Sequence, residues 1–269
     1  MSSPAEISLQ QGNLTEALAK LQDQIKKDPS NPKLRVFMFQ LLSVTGQWQR
    51  ALTQLNVCGE LDASTLLMVQ TYRTALQCEV LRADIFAGKR SPLIFGDPRQ
   101  WVALLIEALR LEAGQHFAEA AALRSQALEL APTSPGTVNG APFAWLADAD
   151  SRLGPVIEAV IKGNYYWIPV QQISSIVIEK PTDLRDRVWL PAIFTWLNGG
   201  QATGLIPARY PGSETSEDSL ICLARKTVWD DKGHDTFHGL GQRLLATDSE
   251  DYALLDIRTL QFESQPAVD

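Results

Sequence analysis

The segment Gly12-Asn13-Leu14-Thr15-Glu16-Ala17-Leu18 returns 34 residues later as Gly46-Gln47-Trp48-Gln49-Arg50-Ala51-Leu52. A looser third copy, Gly114-Gln115-His116-Phe117-Ala118-Glu119-Ala120, begins 68 residues after the second, at twice that period. A fixed period of this length confines the first half of the chain to stacked supersecondary units, none of which can bury its apolar face alone. Leu14, Ala17, Leu18, Leu21 and Ile25 fall at i, i+3, i+4, i+7 and i+11, one stripe of a helix. Asn13 and Glu16 have capping-box spacing at its start. Asn31-Pro32 and Asp97-Pro98 each put an N-cap residue before a proline at the first helical position. Gly46 suits the residue that follows a helix, where a left-handed backbone is needed. Further helices are expected over 32–45, 63–87, 98–113 and 117–131.

The pattern resembles the tetratricopeptide repeat: a glycine between two helices, an apolar residue, a small residue at the helix contact, and a terminating proline (Pro29, Pro132). The second copy lacks that proline, and the slot near residue 80 has no glycine, so the repeat is degenerate. From Pro132 to Pro142 a run rich in Pro, Gly, Ser and Thr breaks any helix and reads as a linker. Beyond it come short β-branched and aromatic runs at 155–161, 165–170, 173–179, 192–197, 203–206 and 252–258. Turn signals lie at Gly163-Asn164 and Asn198-Gly199-Gly200. Five of the seven tryptophans (Trp145, Trp167, Trp189, Trp196, Trp229) fall in this half, as the core of a sheet would require. The expected fold is α+β: tetratricopeptide-like helical repeats over 1–135, a β-rich domain over 140–262, and a polar tail over 263–269.

A formal charge of −7 argues against a nucleic-acid partner, and Lys89-Arg90 is too short to track phosphates. No run approaches the roughly 18–20 apolar residues that span a bilayer. The N-terminus carries no basic-then-apolar signal, so a cytoplasmic location is expected. Cys58, Cys78 and Cys222 are odd in number and far apart, which suits buried small hydrophobes better than a disulfide framework or a metal site. There is no phosphate loop, nucleophile elbow, His-Glu-x-x-His or dinucleotide fingerprint. His234 and His238 have a two-ligand zinc spacing, but Gly233 and Gly239 bracket them and no third ligand is near, so both read as exposed loop histidines. Asp148 and Asp150 form a D-x-D pair beside Arg152, which reads as a structural ion pair because no nucleophile accompanies it. No catalytic, cofactor-binding or metal-binding residue is expected.

The stretch Phe143-Ala144-Trp145-Leu146-Ala147-Asp148-Ala149-Asp150-Ser151-Arg152-Leu153-Gly154-Pro155 is similar to the ImpE family, also called TagJ. The similarity continues through Gly163–Pro169, Asp183-Leu184-Arg185-Asp186, Trp189-Leu190-Pro191, Arg209-Tyr210-Pro211-Gly212-Ser213-Glu214 and Gly241-Gln242-Arg243. It closes on Ala246-Thr247-Asp248 and Leu254–Arg258. The resemblance implies a non-enzymatic adaptor of bacterial type VI secretion. Its implied partner is the small sheath subunit (TssB, or VipA), and it would assist ClpV, the ATPase that disassembles contracted sheaths, with ClpV as the second candidate partner.

Trp145, Asp148, Asp150 and Arg152 are expected to form a structural motif. Two surfaces compete for the partner: the concave side of the repeats, and a β-domain patch in which Tyr166, Arg209 and Tyr210 offer exposed contacts. Tyr165 and Trp167 are expected in the core, on the face of their strand opposite Tyr166. Two other classes remain open: a repeat-protein chaperone or regulator outside secretion, and a metal-dependent hydrolase of the β-domain.

Overall fold

The computed structural model describes residues 2–97 and 99–263. The helical half contains α1 (Pro4–Gln10), α2 (Leu14–Lys27), α3 (Pro32–Val44), α4 (Trp48–Leu61), α5 (Leu66–Phe86), α6 (Gln100–Ala113) and α7 (Phe117–Leu130), with β1 (Leu93–Ile94) between α5 and α6. Helices α1–α2, α3–α4 and α6–α7 pack as hairpins. Local chemistry sets their limits. The Asn13 carboxamide oxygen accepts from the Glu16 amide at 3.1 Å, and that of Asn31 from the Lys33 amide at 3.0 Å. Gly46 follows α3 with φ +64°, the left-handed turn that only glycine adopts cheaply. Pro98 lies outside the described residues; α6 starts at Gln100 after Arg99, which caps it with its extended backbone and no side-chain bond. A single 3-10 turn, Ala63–Thr65, precedes α5.

The β-rich half supplies β2 (Gly136–Val138), β3 (Ala141–Phe143), β4 (Leu146–Asp148), β5 (Val156–Ile161), β6 (Asn164–Pro169), β7 (Ile173–Ile178), β8 (Trp189–Trp196) and β9 (Gln201–Pro207). The short helix α8 (Ser219–Cys222) is followed by β10 (Thr227–Asp231), β11 (Phe237–Gly241), β12 (Leu244–Thr247), β13 (Asp251–Ala253) and β14 (Thr259–Phe262). Nine strands form one sheet in the order β1-β6-β5-β9-β8-β7-β14-β2-β3. Its pairs are antiparallel except β1 with β6, where Leu93 and Ile94 run parallel to Tyr166 and Trp167. A three-stranded sheet, β13-β12-β4, and the β10–β11 hairpin complete the half.

Strand β5 shows why the two halves make one body. All six of its residues are buried. Alternation sends Val156 and Val160, with Tyr165 and Trp167 of β6, into the core shared with the helices. Ile157, Ala159, Ile161 and Ile168 enter a second core on the other side of the sheet. Trp167 and Trp189, both fully buried in the shared core, each contribute about 3 kcal/mol of burial.

The structure corrects several expectations. The stretch 132–142 is no linker: Gly136–Val138 pairs with β14 inside the large sheet and turns through Asn139 (φ +51°) and Gly140 (φ +87°) into β3. Two consecutive left-handed residues make the tight hairpin turn whose twist suits antiparallel strands. The run 252–258 is not one strand but β13, a 3-10 turn (Leu254–Asp256) and the approach to β14. Of the expected polar tail 263–269, only Glu263 lies among the described residues. No helix among the described residues is long and apolar enough to cross a membrane.

Candidate functional site

The middle of β5 carries a carboxylate, Glu158, on the face that meets the helices, and it is completely buried. An isolated charge at that depth costs several kcal/mol, so it needs partners. Arg82 of α5 supplies two bonds, Nε to Oε1 at 2.6 Å and Nη2 to Oε2 at 3.0 Å. Arg243, next to β12, donates from Nη2 to Glu158 Oε2 and from Nη1 to Asp148 Oδ2 at 2.8 Å. The Tyr165 hydroxyl donates to Glu158 Oε1 and accepts from Trp167 Nε1 at 2.9 Å. Arg82 reaches further, to Glu79 Oε2 at 3.5 Å and the Arg209 carbonyl at 2.9 Å. Glu79 Oε1 in turn accepts from Trp189 Nε1 at 2.8 Å.

A second limb runs from Asp148 to the chain around Gly239. The Asp148 carboxylate accepts from the Asp150 amide at 2.9 Å. Asp150 receives the Arg152 guanidinium in a fork, 2.8 Å at Oδ1 and 2.5 Å at Oδ2, and the Gly239 amide at 2.8 Å. Arg152 therefore pairs with Asp150 and not with Asp148, and its guanidinium lies over the Phe86 ring of α5 at 5.1 Å. Beyond it, Glu112 of α6 pairs with Arg124 of α7 and approaches His238 Nε2 of β11 at 2.5 Å, and Arg124 donates to Thr236 at 2.8 Å. His238 is thus partly buried against a helix, not a solvated loop residue, because the β10–β11 hairpin packs on the helical half; His234 stays exposed in the turn. Among the described residues no cluster of three or more His, Cys, Asp or Glu side chains could hold a metal.

Arg209 and Tyr210 were expected as exposed partner contacts, and the structure buries both. Arg209 Nη1 donates to the carbonyls of Val44 at 2.7 Å and Cys222 at 2.5 Å, and Nη2 to that of Ser43 at 3.4 Å. The last carbonyls of α3 have no partner within the helix, and a cation is the favoured group at that negative end. Tyr210 packs beneath Gly239, where an added Cβ would lie 2.2 Å from its ring. Its hydroxyl accepts from the Leu244 amide at 2.9 Å. Tyr166 does face away from Tyr165 and Trp167, but it is half-buried, edge-on to Phe95. Trp145 is 41% exposed and outside the network.

Part of the helical surface is covered by the β-rich half. Trp189 lies against Trp48 and Tyr72, and Glu214 approaches the turn after α3 so closely that a Cβ on Gly46 would sit 2.5 Å from it.

Three guanidiniums (Arg82, Arg152, Arg243) meet four carboxylates (Glu79, Asp148, Asp150, Glu158) inside this junction, while Arg209 is spent on backbone carbonyls. Their environments differ. Burial drives Glu158 upward, but Arg243 and Arg82 outweigh it and hold the carboxyl well below the usual range. Burial likewise opposes Asp150, and the Arg152 fork wins. At Asp148 burial prevails over Arg243 and pushes the carboxyl up to about 7. Burial also raises Glu79. Chemically the arrangement is a latch: it fastens helix α5 and the end of α3 to the β-rich half through charge-assisted bonds.

Sequence reading missed Glu79, Arg82 and Glu158, and named Arg243 only within a family block, without a role. The available signal was a lone glutamate inside the apolar run Val156–Ile161, and an i, i+3 pair among the apolar residues of α5.

Comparison with known proteins agrees with this architecture. The family described as ImpE protein matches residues 140–261, and a tetratricopeptide repeat matches residues 8–65. The type VI secretion system accessory component TagJ of Pseudomonas aeruginosa (strain PAO1) is 51% identical over 263 residues, covering 98% of this chain and 92% of that protein. An X-ray crystal structure of a Vibrio parahaemolyticus protein superposes with a TM-score of 0.88 at 26% identity, covering 98% of this chain and 99% of the other. The motif blocks, the helical hairpins and the end-to-end similarity converge: this chain belongs to the ImpE family, together with the type VI secretion accessory component TagJ.

Proposed function

We propose that the chain is a non-catalytic, cytoplasmic adaptor of type VI secretion that binds the small sheath subunit (TssB, or VipA) and assists ClpV in taking contracted sheaths apart. The observation that carries the non-catalytic part is the use to which the buried reactive groups are put. Each carboxylate of the junction is already engaged by a guanidinium, and the family motifs Asp148–Arg152, Arg209–Glu214 and Arg243 build the molecule's interior. A body stiffened in this way presents fixed surfaces, which lowers the entropy lost on binding a partner. The secretion part rests on the similarity to TagJ over 98% of the chain.

The test is calorimetry of the intact protein with purified small sheath subunit, followed by ClpV-driven disassembly of contracted sheaths with and without it. Saturable binding and faster disassembly are expected. Absence of binding overturns the adaptor reading, and binding without an effect on disassembly removes the ClpV part.

A further inference from the structure

Helices α2, α3 and α4 enclose an open groove of about 430 Å³ whose floor is Ile25, Met38 and Leu42 and whose charged residues are Lys26, Arg35 and Arg50. None of the residues lining it is acidic, in a chain whose net charge is −7. Lys26 is shared with exposed Asp23 at 2.9 Å, whereas Arg35 and Arg50 have no carboxylate within 4.0 Å among the described residues. Arg35 is nevertheless held in place: Nε and Nη2 donate to the Pro29 carbonyl at 3.2 and 3.0 Å, and Nη1 to Gln54 Oε1 at 3.0 Å. A guanidinium has five N–H donors, so these three bonds leave one on each terminal nitrogen. Arg50 is oriented by the neutral Gln47 carboxamide. Arg35, held by three bonds to neutral acceptors, and the exposed Arg50 beside it form a carboxylate receptor at the side of an apolar floor, with the entropy of Arg35 largely spent and the charge of neither neutralised.

We propose that this groove docks an acidic, amphipathic segment of the partner protein, with its carboxylates on Arg35 and Arg50 and an apolar side chain seated over the floor, of which only the edges of Ile25 and Met38 are exposed. The identity of that partner as a sheath subunit rests on the adaptor reading; the chemistry of the groove does not. The charge decides between occupants. A basic segment would be repelled, and a second copy of this chain would have to bring an acidic face of its own.

Two binding experiments on the full chain test it. The first uses a labelled peptide of repeated Leu-Glu-Glu-Leu units and its glutamine counterpart, read by fluorescence anisotropy at low and high salt. Wild type is expected to bind the glutamate peptide at least about tenfold tighter, with the preference shrinking in salt and lost in Arg50→Glu. Equal binding of the two peptides, or no binding of either, overturns the proposal. The second measures the small sheath subunit against Lys26→Glu, Arg50→Glu and a control in another cleft, Leu67→Asp. Lys26 and Arg50 are exposed, and unchanged thermal melting shows that these variants fold. Loss of about tenfold or more in Arg50→Glu but not in Leu67→Asp supports the groove. Unchanged affinity in both charge reversals overturns it as the sheath site. If the sheath subunit fails to bind even wild type, the adaptor reading falls and the peptide result alone decides the groove.

Discussion

Arg209 closes a bond to the carbonyl of Val44, 165 residues earlier in the chain, at 2.7 Å. One side chain of the β-rich half thereby caps a helix of the other half, and the same guanidinium gathers the carbonyls of Cys222 and Ser43. Arg209→Ala leaves the buried carbonyls of Val44 and Cys222 without their donor, while that of Ser43 keeps the Gly46 amide, and is expected to cost about 2–3 kcal/mol. Arg209→Lys should recover only part of this, since an ammonium cannot reproduce the fork. Urea unfolding of the three proteins measures both effects, and equal midpoints would show that the cap contributes nothing.

Asp150 and Arg152 make the second test of the junction. Their side chains are 0% and 10% exposed, so the pair is internal. Removing one partner strands the other charge, and Arg152→Ala is expected to lose about 3–5 kcal/mol. The double variant Asp150→Asn/Arg152→Met should be less damaged than Arg152→Ala, because no buried charge remains unpaired. A double variant at least as unstable as the single one would overturn that account.

The carboxyls of the latch predict opposite pH slopes. Asp148 ionises at about 7 in the folded state, above its value in an unfolded chain. Between about pH 4 and 7 the folded state therefore holds the extra proton, and stability from this group declines as pH rises. Asp148→Asn should compare more favourably with wild type at pH 8 than at pH 4.5, by about 1 kcal/mol or more. Glu158 and Asp150 are depressed, so their contribution is complete above the ordinary carboxylate range and is lost as pH falls below about 4. Thermal melts across pH 3–8 separate the two regimes; a difference between wild type and Asp148→Asn that does not vary with pH would exclude the Asp148 effect.

The hairpin at Asn139 gives a proteolytic test. Asn139 Oδ1 accepts from the amides of Arg258 at 2.7 Å and Thr259 at 3.1 Å, and the residue itself is left-handed. Native protein should resist cleavage over residues 136–143 despite its loop-like composition. Asn139→Ala should lose about 1–3 kcal/mol, from two abandoned amides and an unfavourable backbone, and become susceptible there. Rapid cutting of wild type within 136–143 would contradict the sheet pairing of β2.

What could be read from the sequence was local. Asn13, Asn31 and Gly46 announce helix ends through their own side chains or their lack of one, and Asn198-Gly199-Gly200 announces a hairpin. The stretch 132–142 misled because Pro, Gly and Ser describe a turn-rich strand pair as well as a linker; only pairing with β14, more than 120 residues on, tells them apart. Arg209 misled for a related reason. A charged residue beside a tyrosine resembles an exposed recognition pair unless its buried acceptors are known, and those are backbone carbonyls, which leave no trace in a sequence. Arg82, Glu158 and Arg243 meet across separations of 76 and 85 residues, beyond the reach of any spacing rule.

Strand β1 comes from between α5 and α6 and forms the edge of a sheet otherwise built from residues after 135. During synthesis the first half emerges carrying that strand with nothing to pair it, and Arg82 with no partner in β5. At about 5–20 residues per second, the interval between the making of Arg82 and the making of Arg243 is on the order of ten seconds. A nascent chain must therefore pass through a stage in which the residues of its repeats exist while the strands that cover them do not. Until Trp189 has been made, Trp48 and Tyr72 have no indole to cover them.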